Sequence, residues 1–549
     1  MEQKKEALMR SVEAGKGGFR AALFIYALAG LEQMGFIANM VSLVLYFSNK
    51  MYFDLATAAN TLTNLMGSTF LLSILPALLS RATYFHTALI FGSLELLGLL
   101  MMTIQAHSKN LLPKPCGKAT CIEGGVAVYF YASLSLLALG AGGVRGSLLP
   151  MGADQFDPKE ARRLATFFNW FMFSIMSGGA VGVTFIVWIS TTDNTWWKGF
   201  LIITVAAFIG FAILAIGKPF YSLHVPAPNT NPIFRIVKVI VVAIKNHGLH
   251  YPESPNELYE INNEDSNSTS TKIAHTQQFR WLDRAAIVLP EIKHTINKGP
   301  WKVCTVTQVE EVKILIRMMP IVGCTIILNT CLAQLQTFSV QQGYRMDLQI
   351  APGFRVPAAS MPLIPMISML LLLIVYDRLF VPFVRHFFTG HPSGITQLQR
   401  IGVGLALASV SMCIAAMVEV RRRRQSLRDP SKPISVLWLG LQYGVFGTAD
   451  MFSLVGLLEF FYREAPAGME SLATSFAWMS LSLGYFLSSV FVEVINVVTK
   501  RVEGGHGGWL HGKDLDKDKL DLFYWFLAIL SAVNFLNYLY WATWYKYKN

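Results

Sequence analysis

Arg145 is the one cation in an apolar, glycine-dense stretch from Leu139 to Asp157, which breaks directly into Gly152-Ala153-Asp154-Gln155-Phe156-Asp157. An arginine deep in hydrocarbon is costly, so such a residue faces a wet cavity or a partner and often marks a substrate or ion path. Its planar guanidinium can hold a carboxylate through two parallel hydrogen bonds and stays charged at any physiological pH. Two partners compete for it. Glu32, in the first apolar segment, would neutralise Arg145 and tie the two segments together. A substrate carboxylate would instead displace Glu32, exchanging one ion pair for another.

Other polar residues recur at helical spacing. Glu32, Asn39 and Tyr46 are seven residues apart and line nearly one helical face. Thr330, Gln334, Thr337 and Gln341 follow at intervals of four, three and four. Such a stripe either faces a cavity or packs polar atoms between helices. Asp450 and Glu459 are nine apart, which at about 100° per residue puts them on opposite faces. Glu459 is the favoured cavity residue of the two, against the alternative of an acid near a helix end paired with Arg463 or Arg378. Asn169 and Trp478 complete the candidate substrate contacts, and Glu32 and Glu459 are the candidate proton carriers. Glu95 and Glu493 have no comparable pattern around them.

The elements that position these groups are membrane spans. With 53% hydrophobic and only 15% charged residues, and a mean hydropathy of +0.43, the chain is too apolar for an ordinary soluble multidomain protein. Segments of about 20 apolar residues cross the bilayer. They are expected at 20–46, 57–79, 86–106, 127–149, 168–190, 198–217, 314–338, 357–380, 396–419, 434–461, 471–498 and 521–544. These twelve divide six and six around one long polar interval. The expected organisation is an all-α membrane protein with an N-terminal six-helix bundle at 1–217, an interdomain linker at 218–313 and a C-terminal six-helix bundle at 314–549, as in two-lobed transporters. Within the linker, Asn262 to Thr271 is low-complexity. Ile233 to Ile244 reads as an amphipathic helix, lying on the membrane surface or packed on the bundle.

Lysines and arginines at Lys4, Lys5, Arg10, Lys16, Lys159, Arg162, Arg163 and through the linker fall on one side if the spans alternate. That side, with both termini, is expected to be cytoplasmic. Arg421 to Arg424 run against this count. The net charge of +12 is spread between apolar stretches and forms no stripe for nucleic acid. Cys116 and Cys121 lie in a loop expected outside, where a local bridge is permitted. No metal-ligand spacing appears, and Gly140 to Gly146 lack the lysine and hydroxyl residue of a nucleotide-binding loop. No metal, no cofactor and no enzyme activity are expected. The expected partners are lipid and a small organic acid, with protons as a candidate.

The chain resembles the plant nitrate and peptide transporter family, related to the proton-coupled oligopeptide transporters of the major facilitator superfamily. The resemblance rests on Gly152 to Asp157, on Phe167-Phe168-Asn169-Trp170, on Ala333-Gln334, on Leu458 to Pro466, on Leu487-Ser488-Ser489 and on Asp521 to Trp525, in that order. It implies twelve helices in two pseudo-symmetric bundles, alternating access and inward movement coupled to protons. Two departures stand out. Where the family carries two acids followed by a base on the first span, this chain reads Ala29-Gly30-Leu31-Glu32-Gln33, and the loop after the second span, Leu75 to Arg81, lacks the family's aspartate. The likeness is strongest to the subfamily that includes abscisic acid and gibberellin importers, usually of the plasma membrane. Nitrate, peptides and specialised metabolites are the alternative cargoes, and a non-transporting sensor is the alternative of another class.

Overall fold

In lipid the backbone finds no partner but itself, so apolar runs become helices. The computed structural model describes residues 17–78, 84–116, 120–156, 161–192, 195–222, 232–249, 258–259, 273, 275–287, 301, 303–352, 354–384, 386–387, 395–466, 469–502, 508–510, 515–516, 518–545 and 547. The low-complexity run and Lys159 lie outside the described residues. The first half contains α1 (Gly18–Asn49), α2 (Leu55–Leu72), α3 (Tyr84–His107), α4 (Gly124–Ala153), α5 (Ala161–Val181) and α6 (Trp196–Ile216). α5 continues through a π-helical turn, Gly182–Ile186, to Val187–Thr191. After α7 (Pro232–Lys245) come α8 (Val306–Gln336), α9 (Leu363–Val375), α10 (Gln397–Arg428), α11 (Leu439–Glu464), α12 (Glu470–Val502) and α13 (Leu520–Trp544). A two-stranded antiparallel hairpin, Gln349–Ala351 with Phe354–Arg355, pairs Gln349 with Arg355.

Ten of the helices among the described residues are long and apolar enough to cross a membrane. α2 and α9 stand where the second and eighth spans are expected but fall outside that set. α2 is rich in Thr and Asn because one of its faces meets α12, where Thr63 and Ser489 hydroxyls are 2.5 Å apart. α9 starts after Pro362 and gives way to a π-helical turn at Tyr376–Phe380. In the text below, the near face is the one at which α1 begins and the far face the one at which it ends.

Buried side chains of α1 to α6 form one core, and those of α8 to α13 form a second, with a few crossings such as Tyr485 into the first and Leu55 into the second. A third, small core joins α7 to a 3-10 turn, Arg280–Ala286, and to the start of α8. Here Lys313 is fully buried, 2.7 Å from both Asp283 and Glu310, and Arg235 meets Glu311 at 2.7 Å. α7 buries Val239 and Val242 in this core while Phe234, Val237, Val241 and Ile244 stay exposed.

The four arginines that oppose the charge count stand on a helix longer than the expected span. α10 runs to Arg428, and Arg422 meets Glu419 at 2.7 Å and Asp516 at 2.6 Å. Arg423 reaches Asp521 at 3.3 Å, and the Arg421 guanidinium lies 4.1 Å from the Trp438 ring. Arg422 and Arg423 are thus paired with carboxylates. Partial burial would raise the Asp516 carboxyl, but hydrogen bonds from Ser426 and Arg422, with the charges of Arg422 and Arg345, hold it below its ordinary value. A carboxylate depressed in the folded state stabilises above its unfolded pKa, and the contribution disappears as pH falls through the folded one. Asp516→Asn is therefore expected to melt earlier than wild type at neutral pH. The gap should close as pH drops below about 4, the ordinary carboxylate value, in a thermal-shift series on detergent-solubilised protein.

Candidate functional site

Arg145 reaches its partners because α4 lies unusually close to its neighbours. A Cβ at Gly140 would sit 2.3 Å from the Glu95 backbone nitrogen, and one at Gly146 would sit 2.0 Å from the Ser73 carbonyl. The glycines around Arg145 thus let α4 press against α3 and the end of α2. From there Nη2 of Arg145 donates to both Glu32 oxygens, at 2.9 and 3.2 Å, and to Gln33 Oε1 at 2.9 Å. The guanidinium carbon lies 3.4 Å from the centre of the Phe36 ring, a cation held over an aromatic face. Glu32 is 5% exposed and the arginine side chain 18%. The bonds to α1 come from one nitrogen, and Nε, also buried, has no hydrogen-bond partner among the described residues.

An aromatic wall leads away from this pair and across to the second bundle. Phe36 meets Phe70 edge-on at 5.9 Å, and Phe70 stacks on Trp478 at 5.8 Å and on Tyr485 at 5.9 Å. The Tyr485 hydroxyl donates to Gln336 on α8. Trp478 is 44% exposed, so the wall ends in an accessible ring. One cation and a run of aromatic faces suit a molecule with a carboxylate at one end and an apolar body.

Residues 85–510 match the family described as PTR2, POT family. The chain belongs to the POT family. It is 42% identical to Protein NRT1/PTR FAMILY 4.5 of Arabidopsis thaliana, over 97% of this chain and 94% of that one. It is 40% identical to Protein NRT1/PTR FAMILY 4.6 of the same plant, over 98% and 96%. Among solved structures, an auto-inhibited POT family peptide transporter superposes with a TM-score of 0.70 at 17% identity, covering 96% of this chain and 98% of that one. The POT family transporter PepTSo gives 0.70 at 16% identity, covering 96% and 99%. The POT family consists of membrane transporters and not enzymes, and its two-bundle helical fold is the fold of this chain.

Within this POT fold the remaining candidates are dispersed. Asn39 points into a small cavity inside the first bundle, which Glu32 and Glu95 also line. On α8, Thr330 donates to the Gly484 carbonyl at 3.1 Å and Gln334 to the Ser488 hydroxyl at 2.6 Å, so both bind α12. Gln341, beyond α8, donates to the Leu55 carbonyl at the far end of α2. Glu459 lies toward the near end of α11, 2.9 Å from Arg463 and 3.6 Å from Arg400, with Gln397 donating to it at 3.1 Å. Asn169 belongs to α5, but its side chain and that of Arg378 lie outside the described residues, as do Asp157 and residues 79–81. Gln155 from the acidic run is a staple. Its amide donates to the Met151 carbonyl at 2.9 Å and the Ser222 carbonyl at 3.2 Å, and accepts from Ser222 N at 2.8 Å.

Reading the sequence passed over Gln33, Phe36, Phe70, Gln336 and Tyr485. Phe36 had a signal: it follows Glu32 by one helical turn. Gln33 stands where the family has its base, and its amide oxygen accepts from Arg145 as an uncharged partner. The grouping of His275, Asp283 and Glu310 has metal-like geometry. The buried Lys313 ammonium already supplies the cation there, bound to both acids.

Proposed function

We propose that this POT family member carries a small organic carboxylate of the abscisic acid or gibberellin type by alternating access, coupled to protons. The reading rests on one observation: Arg145 spends a single nitrogen on Glu32 and Gln33, has an Nε unpartnered among the described residues, and stands at the head of an aromatic wall ending at Trp478. The substrate carboxylate takes the guanidinium, Glu32 lets go, and the apolar body lies along Phe36, Phe70 and Trp478. Thr330 and Gln334 hold α8 on α12 behind the wall, and Glu459 with Arg400 and Arg463 forms a charged cluster at the near mouth. Asn169 is a further contact from α5.

The bundles, 1–217 and 314–549 with the linker 218–313 between them, meet along α2 and α12, with further bonds at the far ends of α1, α5 and α8. This is the arrangement of a carrier closed on its far side. The lysine and arginine distribution supports a cytoplasmic near face with both termini there, and the plasma membrane is the proposed location.

The test is uptake by oocytes expressing the chain, offered labelled abscisic acid, gibberellic acid, nitrate or a dipeptide at acidic and neutral external pH. Accumulation of a carboxylate hormone, greater at acidic pH and lost with a protonophore, is the expected result. Exclusive accumulation of nitrate or dipeptide would overturn the substrate assignment. No accumulation of any of them despite confirmed surface expression would favour a sensor that kept the fold.

A further inference from the structure

The first span retains one acid of the family's two, yet a second carboxyl enters the same cavity from another helix. Glu95, midway along α3, is 5% exposed, and its Oε2 has no hydrogen-bond partner among the described residues. It lines, with Glu32, Asn39 and Thr69, a cavity enclosed by α1, α2, α3, α4 and α6 that has about 20 Å³ of room for a water. Across this cavity the other lining residues of α2, α4 and α6 are uncharged. The charged groups facing Glu95 are Glu32 from α1 and Arg145 from α4. Arg145 is already committed to Glu32. Gly140 packs against the Glu95 backbone, which holds this turn of α3 close to α4. A charged carboxylate there would have an oxygen with no donor, whereas a carboxylic acid can donate a hydrogen bond across the cavity.

We propose that Glu95 is a second proton-carrying carboxyl, supplied by α3 in place of the acid absent at Ala29, and that it hands its proton to Glu32 when Arg145 turns to the substrate. This rests on the proton-coupled reading above. The charge count closes. With Arg145 on Glu32, the two carboxyls hold one proton and the site is neutral. With Arg145 on a substrate carboxylate, Glu32 takes the proton from Glu95, directly or through one water, and Glu95 is reprotonated from outside. The loaded site again carries no net charge, with two protons on the carboxyls. One proton therefore moves with each monovalent carboxylate, and only O–H bonds form and break.

Infrared spectra of purified protein test the proton directly. The undissociated-carboxyl band of wild type at neutral pH is expected to lose its Glu95 component in Glu95→Gln; a band unchanged by that substitution would overturn the proposal. Proteoliposomes offered external radiolabelled abscisic acid test the coupling, with unlabelled abscisic acid inside for the counterflow arm. Glu95→Gln is expected to cut accumulation driven by a proton gradient about tenfold, the effect of about 1.4 kcal/mol on a barrier, while substrate counterflow, which needs no net proton movement, stays near wild type. Equal loss of counterflow in protein that keeps its melting temperature would make Glu95 a structural residue and overturn the proposal. If Glu95→Gln melts early, Glu95→Asp decides: a shifted pH dependence of accumulation supports the relay, and an unshifted one overturns it. Wild type insensitive to protonophore would sink the coupled reading itself, and the infrared band would still report on Glu95.

Discussion

Arg145→Ala is expected to lower carboxylate uptake at least about tenfold, since a hydrogen-bonded charged group is worth roughly 1.5–3 kcal/mol. The substitution has a second consequence that has to be separated from the first. Removing one member of a buried ion pair leaves the other uncompensated, at a cost of about 3–5 kcal/mol, and Glu32 is 5% exposed. Arg145→Ala alone is expected to express poorly and melt early for this reason. The double variant Glu32→Gln/Arg145→Ala removes the stranded charge, so it should regain much of the melting temperature while uptake stays lost. Arg145→Lys keeps a charge but gives up the planar fork and the broad contact over Phe36, and should retain part of the uptake with a raised KM. Uptake at matched surface expression, together with melting curves, checks all three. Normal uptake by the folded double variant would show that the pair merely ties α1 to α4.

That ambiguity was legible in the residues and the geometry sharpens it. An arginine and a glutamate, each isolated in an apolar segment, have few partners other than one another, so the pair could be read before the fold was known. The family fold was legible too, because its motifs recur in order along nearly the whole chain. The wall was less so. Phe70 and Trp478 belong to different bundles and are separated by most of the sequence, and no spacing along one helix connects them. Periodicity along α8 identifies Thr330 and Gln334 as one face but not the neighbour that face meets, and the structure sets both against α12. Glu95 illustrates the same limit: the cavity it lines is shared with Glu32 of α1, so the local sequence around it carries no pattern. The partners of the arginines after residue 420 were hidden for another reason. Charge counting treats a loop as solvent, whereas α10 continues and finds Glu419, Asp516 and Asp521.

The seam between α2 and α12 explains why polar residues are tolerated on helices that also face lipid. Ser482 donates to the Gly67 carbonyl at 2.7 Å, and Thr63 and Ser489 pair at 2.5 Å. Backbone and hydroxyl groups satisfy one another, and a Cβ at Gly67 would touch the Phe486 ring at 3.2 Å. At the far end of the seam a polar cavity of about 330 Å³ is lined by Asp54, Asn60, Glu493 and Lys500. It lies outside the Thr63–Ser489 contact. In this state the contact separates that cavity from the aromatic wall, so a carrier that alternates must open it once per cycle.

Locking that contact should therefore stop transport. Thr63→Cys/Ser489→Cys places two thiols on side chains whose hydroxyls already touch, the condition for a disulfide that needs little backbone movement. The native bridge between Cys116 and Cys121 also responds to reductant, so the pair is best built in a Cys116→Ser/Cys121→Ser background. Oxidation of the double cysteine variant is expected to remove nearly all uptake, dithiothreitol to restore it, and each single cysteine variant to be indifferent to both. Binding should behave differently from transport. A substrate that reaches Arg145 from the near face should still protect the locked carrier against thermal unfolding, because ligand binding to the folded state stabilises it by mass action whether or not the cycle can be completed. Uptake that persists after complete crosslinking would mean that α2 and α12 stay together through the cycle and that substrate passes elsewhere between the bundles.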